Sequence, residues 1–568
     1  MLAAAVLAGC GQNGNQSGEG KSCCGNCEKH VSTAGKADKL VLGNIITMDP
    51  HMMRAEAMTI KNGRVQYVGS AELAKALCDE NTEVVDYGTN TVYPGFIDVH
   101  THPATAGERL SEQINLVDGE TVDDYLETVR QFIAAHPDKN RYTGAGWSPK
   151  DRELLATDLD AICADKPIIL HSIDGHSFWI NTKAMQLVEI DKKAAEEDGP
   201  ARIHVDAEGN PTGVITEENE RMAQHIQPDC SEVMEQLLKW QEFAFGLGLT
   251  AVGDAGFGST VTLDAYSNLE KEGKLKLRTY CSFFNPVAGQ PVDEKISQAV
   301  ALREKYTSEH LRIPGIKLFI DGVVEGHTAW MIDEYRDQPG YHGVMKETDH
   351  EYVTNMVKAA NENGFYMHMH TIGDGAVKFA VDAIEDAQKQ TGLYDARNCM
   401  AHLQIVRPED VKRMGENHIT AIVAPLWTPI EPGVSDLEEK YIGKELCWNA
   451  YPIRSFLEAG AVIAFHTDYP VSTYASMPGS VIDAVIRRVA GGVARNPEKE
   501  SITRLDAMKA MTVDAAYALK EDNMGMLSIG KYASYAVFDA DFLSDSFEKL
   551  FKSQLIATAV DGEVVWSK

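Results

Sequence analysis

The sequence predicts an α/β protein in which a (β/α)8 barrel carries a small β-sandwich built from both chain ends. Three observations point there. Strand-like apolar runs alternate with amphipathic helical stretches through the middle of the chain, the pattern of a parallel sheet covered by helices. Hairpin signals crowd both ends. Several apolar runs terminate in histidine, lysine or aspartate, and barrel active sites lie at the C-terminal ends of the strands.

Size and charge narrow the field. With 568 residues, 44% apolar and 24% charged, the chain can bury one large domain and a smaller one. The formal charge of −31 comes from 53 basic and 84 acidic residues. Nucleic acid and anionic membrane surfaces both need a basic face, so a small-molecule substrate is the expected partner. A homo-oligomer is left open.

Taken in order, residues 1–37 read as a leader and a tether. Met1 to Cys10 is a short apolar run, too short to span a membrane as a helix. Leu7-Ala8-Gly9-Cys10 resembles the lipobox of a bacterial lipoprotein, in which the cysteine is acylated. The expectation is an exported protein, anchored to the cell envelope through Cys10, or a cytoplasmic one if this start is no signal. The following Gly/Ser/Asn-rich stretch reads as flexible linker. Cys23, Cys24 and Cys27 lie in it, with no second pair at zinc-finger spacing. The other six cysteines are scattered singly and do not resemble a disulfide scaffold.

Residues 38–93 form the first part of the sandwich, with an Asn62-Gly63 hairpin signal between alternating apolar residues. Residues 94–511 form the barrel, with an insertion at about 115–240. Its strand-like runs are KPIILHSID, GLTAVGDAG, LKLRTYCSFF, IPGIKLFIDG, FYMHMHTIG, CMAHLQIV, ITAIVAP and AVIAFHTDYP. Helical patterns such as HEYVTNMVKAANENG and DGAVKFAVDAIEDAQKQTG end at glycine, as helix C-termini often do. Residues 512–568 return to the sandwich through SYAVFDAD and the Asp561-Gly562 hairpin.

The candidate site residues follow the strands. Phe96-Ile97-Asp98-Val99 leads into His100-Thr101-His102, and residues i and i+2 of a strand share a face. Lys317 interrupts an apolar run, where an unpaired ammonium is expensive to bury. His368 and His370 end the next run, His402 the one after, and Asp468 ends AVIAFHTD. Such a set supports metal-assisted hydrolysis. Zn²⁺ prefers histidine and carboxylate ligands and lowers the pKa of a bound water. A lysine can bridge two ions only if neutral or carbamylated, and the final aspartate can move a proton from water to a leaving nitrogen.

At these residues the chain resembles the amidohydrolase superfamily. More narrowly it is similar to the amidohydrolase 3 family, which includes N-substituted formamide deformylases. The resemblance runs from about Lys39 to the end, on PGFIDVHTHP, GWSPKD, GHSFWINTKAM, GNPTGVITEEN, GLTAVGDAG, KLFIDGVVEGHTAWM, HTIGDGAV, AHLQIV and HTDYPVS. It implies one or two divalent ions, usually zinc, and cleavage of C–N bonds in amide, formamide or N-acyl substrates. His100 and His102 would bind the more buried ion. Lys317 would be a carboxylated bridge, His370 and His402 ligands of the second ion, and Asp468 the metal-bound acid/base. His368 is a neighbour rather than a ligand. Trp147, His176 and His327 are candidates for substrate contact, with structural roles open for Trp147 and His176.

The chain departs from the family pattern at Ala401, where an acidic residue is usual, and at Thr467-Asp468-Tyr469-Pro470. It departs again at Gly322-Val323-Val324-Glu325-Gly326-His327, where small residues are common. Three alternatives stand beside the amidohydrolase reading: a deaminase, a cyclic ether or lactone hydrolase, and an exported solute-binding lipoprotein with degraded catalysis. The bridging lysine weighs against a mononuclear deaminase, and the complete set of residue types weighs against degradation.

Overall fold

The computed structural model describes residues 35–568 apart from 112, 149–150, 173–176, 201, 217–221, 223–227, 258–259, 285–289, 431–433, 472–476 and 487–493. The leader, Cys10, Cys23, Cys24, Cys27 and His176 lie outside the described residues. No helix among the described residues is long and apolar enough to cross a membrane.

Eight parallel strands make the barrel: β1 (Phe96–Thr101), β2 (Leu249–Phe257), β3 (Arg278–Phe283), β4 (Leu311–Phe319), β5 (Tyr366–Thr371), β6 (Cys399–His402), β7 (Thr420–Val423) and β8 (Ile463–Phe465). Each pairs with the next in chain order. Their residues divide by strand alternation. Ile316, Leu318, Met367, Met369 and Met400 join the core shared with the surrounding helices. Tyr280, Tyr366, Ala401, Ile422 and Ala464 pack with Leu519 and Tyr532 as a separate inner core.

Side-chain and backbone hydrogen bonds complete the ring where β8 meets β1. The Asp98 carboxylate accepts the Thr467 N–H at 3.2 Å and its hydroxyl at 2.6 Å, and the Asp468 N–H donates to the His100 carbonyl at 3.0 Å. The first and last barrel strands are thereby held in register.

The helices end where the sequence predicts. Helix His350–Glu362 is capped by the Asp349 side chain, and helix Asp374–Thr391 stops at Gly392 in the left-handed conformation. The run KPIILHSID, however, is no barrel strand. Ile168–Ser172 belongs to a separate six-stranded sheet inserted between β1 and β2, made of strands from residues 114 to 216. Periodicity cannot distinguish a barrel strand from one in an inserted sheet.

The chain ends meet in one seven-stranded sheet. Its order is Glu563–Ser567, Leu555–Val560, Tyr535–Phe538, Glu83–Pro94, Lys39–Ile46, Arg54–Lys61 and Arg64–Gly69. Arg64 also bridges to Tyr532, so the far edge curls back to the C-terminal segment. Val41, Ile60, Val65, Tyr535, Val537 and Ala557 share its core. A charged contact fastens this sheet to the barrel. Arg278 donates to Asp561 at 2.5 Å and lies 3.6 Å from the centre of the Tyr532 ring, and Nε2 of His310 sits 3.8 Å from the same carboxylate.

Candidate active site

Strand geometry gathers the expected ligands at one end of the barrel. Lys317 on β4 pairs in register with His368 on β5, Phe319 with His370, and Thr371 on β5 with His402 on β6. Nε2 of His100 and Nε2 of His102 each lie 3.2 Å from the same oxygen, Oδ1 of Asp468. Backbone at the site is unusual: His402 has φ +79° and Asp468 φ +57°, a region that non-glycine residues rarely occupy and that clusters at functional sites.

Loops at the barrel mouth are pinned by buried carboxylates. Asp321, just past β4, accepts the N–H groups of Ile372, Gly373 and Trp330 at 3.0, 2.8 and 2.9 Å. Burial pushes its carboxyl up to about 7, against these hydrogen bonds. Gly373 is needed here, since a Cβ would sit 2.1 Å from the Trp330 carbonyl oxygen. The clamp also positions His370, whose Nε2 lies 3.1 Å from the Gly322 carbonyl oxygen.

Electrostatics favour neutral imidazoles. Burial first, then the Lys317 charge, drives His100 and His368 well below the ordinary histidine range and His370 to about 3. For His402 burial is again the leading cause, followed by His370. Burial lowers Lys317 to about 8. Burial would raise Asp468, but the His102 hydrogen bond and the surrounding histidines outweigh it and hold the carboxyl well below its usual range.

The residues fit a divalent cation. Lys317 is 1% exposed and its Nζ has no hydrogen-bond partner; nor has Nδ1 of His402, nor either nitrogen of His466. Unpartnered buried polar atoms cost about 1–3 kcal/mol each, and their concentration in one place calls for a ligand. Nitrogen and carboxylate donors at this density suit a zinc-like ion. His100, His102 and Asp468 would hold one ion, and Lys317, His370 and His402 a second.

Sequence reasoning missed His466. Its ring centre lies 5.1 Å from that of His100 and 5.1 Å from that of His402, and burial lowers it to about 4. The signal was there: His466 stands two residues before Asp468, the spacing that singled out His100 and His102. His368 occupies the neighbour position expected of it, with Nε2 2.8 Å from Nδ1 of His100 and Nδ1 3.2 Å from the Ser282 hydroxyl.

Two expected substrate contacts lie elsewhere. Trp147 is buried in the inserted sheet, its Nε1 donating to the Leu170 carbonyl at 2.7 Å. Nε2 of His327 is 3.1 Å from both Asp337 oxygens, and its ring packs 3.9 Å from that of Tyr441. Neither lines the cavity above the ligands. That cavity, about 530 Å³, has His100, His102, His370, His402 and Asp468 among its lining residues, together with Phe319 and Trp427.

Comparison with known proteins bears on the family. The profile of a family described as the amidohydrolase family matches residues 83–566. The chain is 28% identical over 556 residues to Protein LONG AFTER FAR-RED 3 of Arabidopsis thaliana, covering 93% of this chain and 92% of that one. It is 24% identical over 537 residues to N-substituted formamide deformylase of Arthrobacter pascens, covering 92% and 97%. Among solved structures, an uncharacterized metal-dependent hydrolase from Pyrococcus furiosus superposes with a TM-score of 0.73 at 24% identity, covering 89% of this chain and all of that one.

Proposed function

The chain belongs to the amidohydrolase family, and on that premise we propose that it hydrolyses the C–N bond of an amide, formamide or N-acyl compound with the help of divalent metal, zinc or a zinc-like ion. One observation carries the reading. Four histidines and an aspartate line the floor of a cavity large enough for a small substrate, and beside them on β4 stands Lys317, buried with no hydrogen-bond partner.

A divalent ion held by these residues supplies Lewis acidity and a water acidic enough to act at neutral pH. Everything else is the work of the chain. Asp468, steadied by His100 and His102 at 3.2 Å, takes a proton from the attacking water as its oxygen bonds to the carbonyl carbon. It returns that proton to the nitrogen as the C–N bond breaks, leaving a carboxylic acid and an amine. Lys317, once carbamylated, turns from a repelling ammonium into an anionic bridge. Asp98 fixes Thr467 and so the backbone that presents Asp468.

The test is amine release from a panel of formamides and N-acyl compounds by protein reconstituted with zinc and bicarbonate. Turnover with one to two equivalents of bound metal supports the reading. Protein that binds no metal, or binds it and releases no amine from any member, sinks it.

A further inference from the structure

Beneath the ligands runs a line of side chains that the hydrolytic steps do not use. His100 on β1, His368 on β5 and Ser282 on β3 are each 1% exposed. Nδ1 of His100 lies 2.8 Å from Nε2 of His368, whose Nδ1 lies 3.2 Å from the Ser282 hydroxyl. No two of these strands are neighbours in the barrel sheet, so the line crosses the barrel interior. Gly315 on β4 pairs in register with Ser282 and leaves the room for it. A Cβ there would meet the Tyr366 ring at 2.6 Å and the Ser282 hydroxyl at 2.9 Å.

The contact with His368 leaves His100 one nitrogen for an ion. Nε2 faces Oδ1 of Asp468 at 3.2 Å, as Nε2 of His102 does. Nε2 is therefore the ligand nitrogen, and Nδ1 must then carry the proton. A metal-binding imidazole usually donates its second N–H to a carboxylate, a backbone carbonyl or water, which fixes its tautomer and orientation. His370 follows that habit, with the Gly322 carbonyl oxygen 3.1 Å from its Nε2. For His100 the partner is another imidazole.

A neutral imidazole gives one hydrogen bond and accepts one, and a hydroxyl can do either, so the line can run both ways. With an ion on Nε2, His100 donates to His368 and His368 to the Ser282 oxygen. With the ion gone, Nε2 of His100 donates to Asp468, while Ser282 donates to His368 and His368 to His100. Each imidazole moves its proton from one nitrogen to the other, and the line as a whole gains and loses none. A carboxylate in the place of His368 could only accept, and it would add negative charge beneath the ions.

We propose that His368 is a positioning residue for metal binding: it takes the Nδ1 proton of His100 and keeps Nε2 free for the ion, with Ser282 ending the line. This rests on the reading of His100 as a metal ligand.

The experiment reads zinc affinity rather than turnover. Full-length wild type, His368→Phe, His368→Gln and Ser282→Ala are stripped of metal and titrated with zinc against a chromogenic chelator. Urea unfolding of each metal-free form runs alongside. His368→Phe keeps a ring and removes both nitrogens; it should bind zinc about 10–100-fold more weakly. The amide of His368→Gln can give or accept, so that variant should recover most of the loss, a split that packing alone would not produce. Ser282→Ala should weaken zinc binding in the same direction and by less. If His368→Phe does not fold, Ser282→Ala decides: weaker zinc binding at unchanged metal-free stability supports the assignment, and unchanged affinity overturns it. Equal affinity in wild type and His368→Phe, or an equal loss in His368→Phe and His368→Gln, also overturns it. Wild type that binds zinc yet releases no amine sinks the hydrolysis reading and leaves this one standing. Wild type that binds no zinc sinks both.

Discussion

Replacing Lys317 by methionine should make the metal-free protein more stable, an unusual outcome for a buried position. The amine is 1% exposed and unpartnered, and burial lowers it from 10.5 to about 8. At 1.36 kcal/mol per pH unit, keeping it charged in the fold costs ~3 kcal/mol. Methionine keeps most of the volume, and such swaps usually lose less than about 1.5 kcal/mol. The net gain expected at pH 7 is therefore ~2 kcal/mol. The sign with pH follows from linkage. The unfolded chain holds the proton up to 10.5 and the folded chain only to about 8. The penalty is thus full below 8, shrinks as pH rises between the two values, and is gone above 10.5. Urea unfolding of chelator-stripped wild type and Lys317→Met at pH 7 and at pH 10.5 reads this directly. The variant should lead at pH 7 and lose its lead at the higher pH. With zinc and bicarbonate the order should reverse, because only wild type can form the bridge. A variant less stable than wild type at pH 7, or a margin indifferent to both pH and metal, would refute the reasoning.

Other outcomes follow from the same geometry. Asp468→Asn should retain most of its metal by elemental analysis yet lose about 10²–10⁴-fold in kcat, the scale of a missing proton shuttle. Gly373→Ala would drive a Cβ to 2.1 Å from the Trp330 carbonyl oxygen; it should cost ~1–3 kcal/mol in urea unfolding and reduce activity by displacing His370. In Asp561, burial is outweighed by the His310 and Arg278 contacts, so the folded carboxyl ionises below its usual range. Its stabilisation is present above the unfolded value and lost as pH falls through the folded one. Asp561→Asn should accordingly be ~2–4 kcal/mol less stable than wild type near pH 7, with the two unfolding curves converging in acid.

The ligand strands could be read from the sequence because two-residue periodicity and a C-terminal strand position are both local. His100, His102, Lys317, His370, His402 and Asp468 each interrupt or end an apolar run, and the parallel register aligns them. His466 obeyed the same rule and was passed over, since its neighbour Asp468 already explained the motif. Trp147 and His327 do not line the cavity. Their polar atoms are satisfied by Leu170 and Asp337, partners that only tertiary packing supplies. The pairing of Arg495 with Glu438 likewise joins a loop to helix Val434–Ile442, and nothing in either stretch alone announces it. The inserted sheet was blurred because its strand at Ile168–Ser172 is as apolar as any in the barrel.

The two-ended sheet carries a consequence for the order of events during synthesis. Tyr535–Phe538 pairs with Thr91–Pro94, a partner that left the ribosome roughly 440 residues earlier. At 5–20 residues per second that is a wait of about 20–90 s, during which Glu83–Pro94 presents an open row of backbone donors and acceptors on the side its late partner will cover. Open edges of this kind invite pairing with other chains. A nascent chain caught before its last forty residues emerge is therefore the form most exposed to misassociation, and a natural client for holding chaperones. Strand Tyr535–Phe538 acts as the latch that ends this vulnerability, and a chain cut short before it would keep the exposed state permanently.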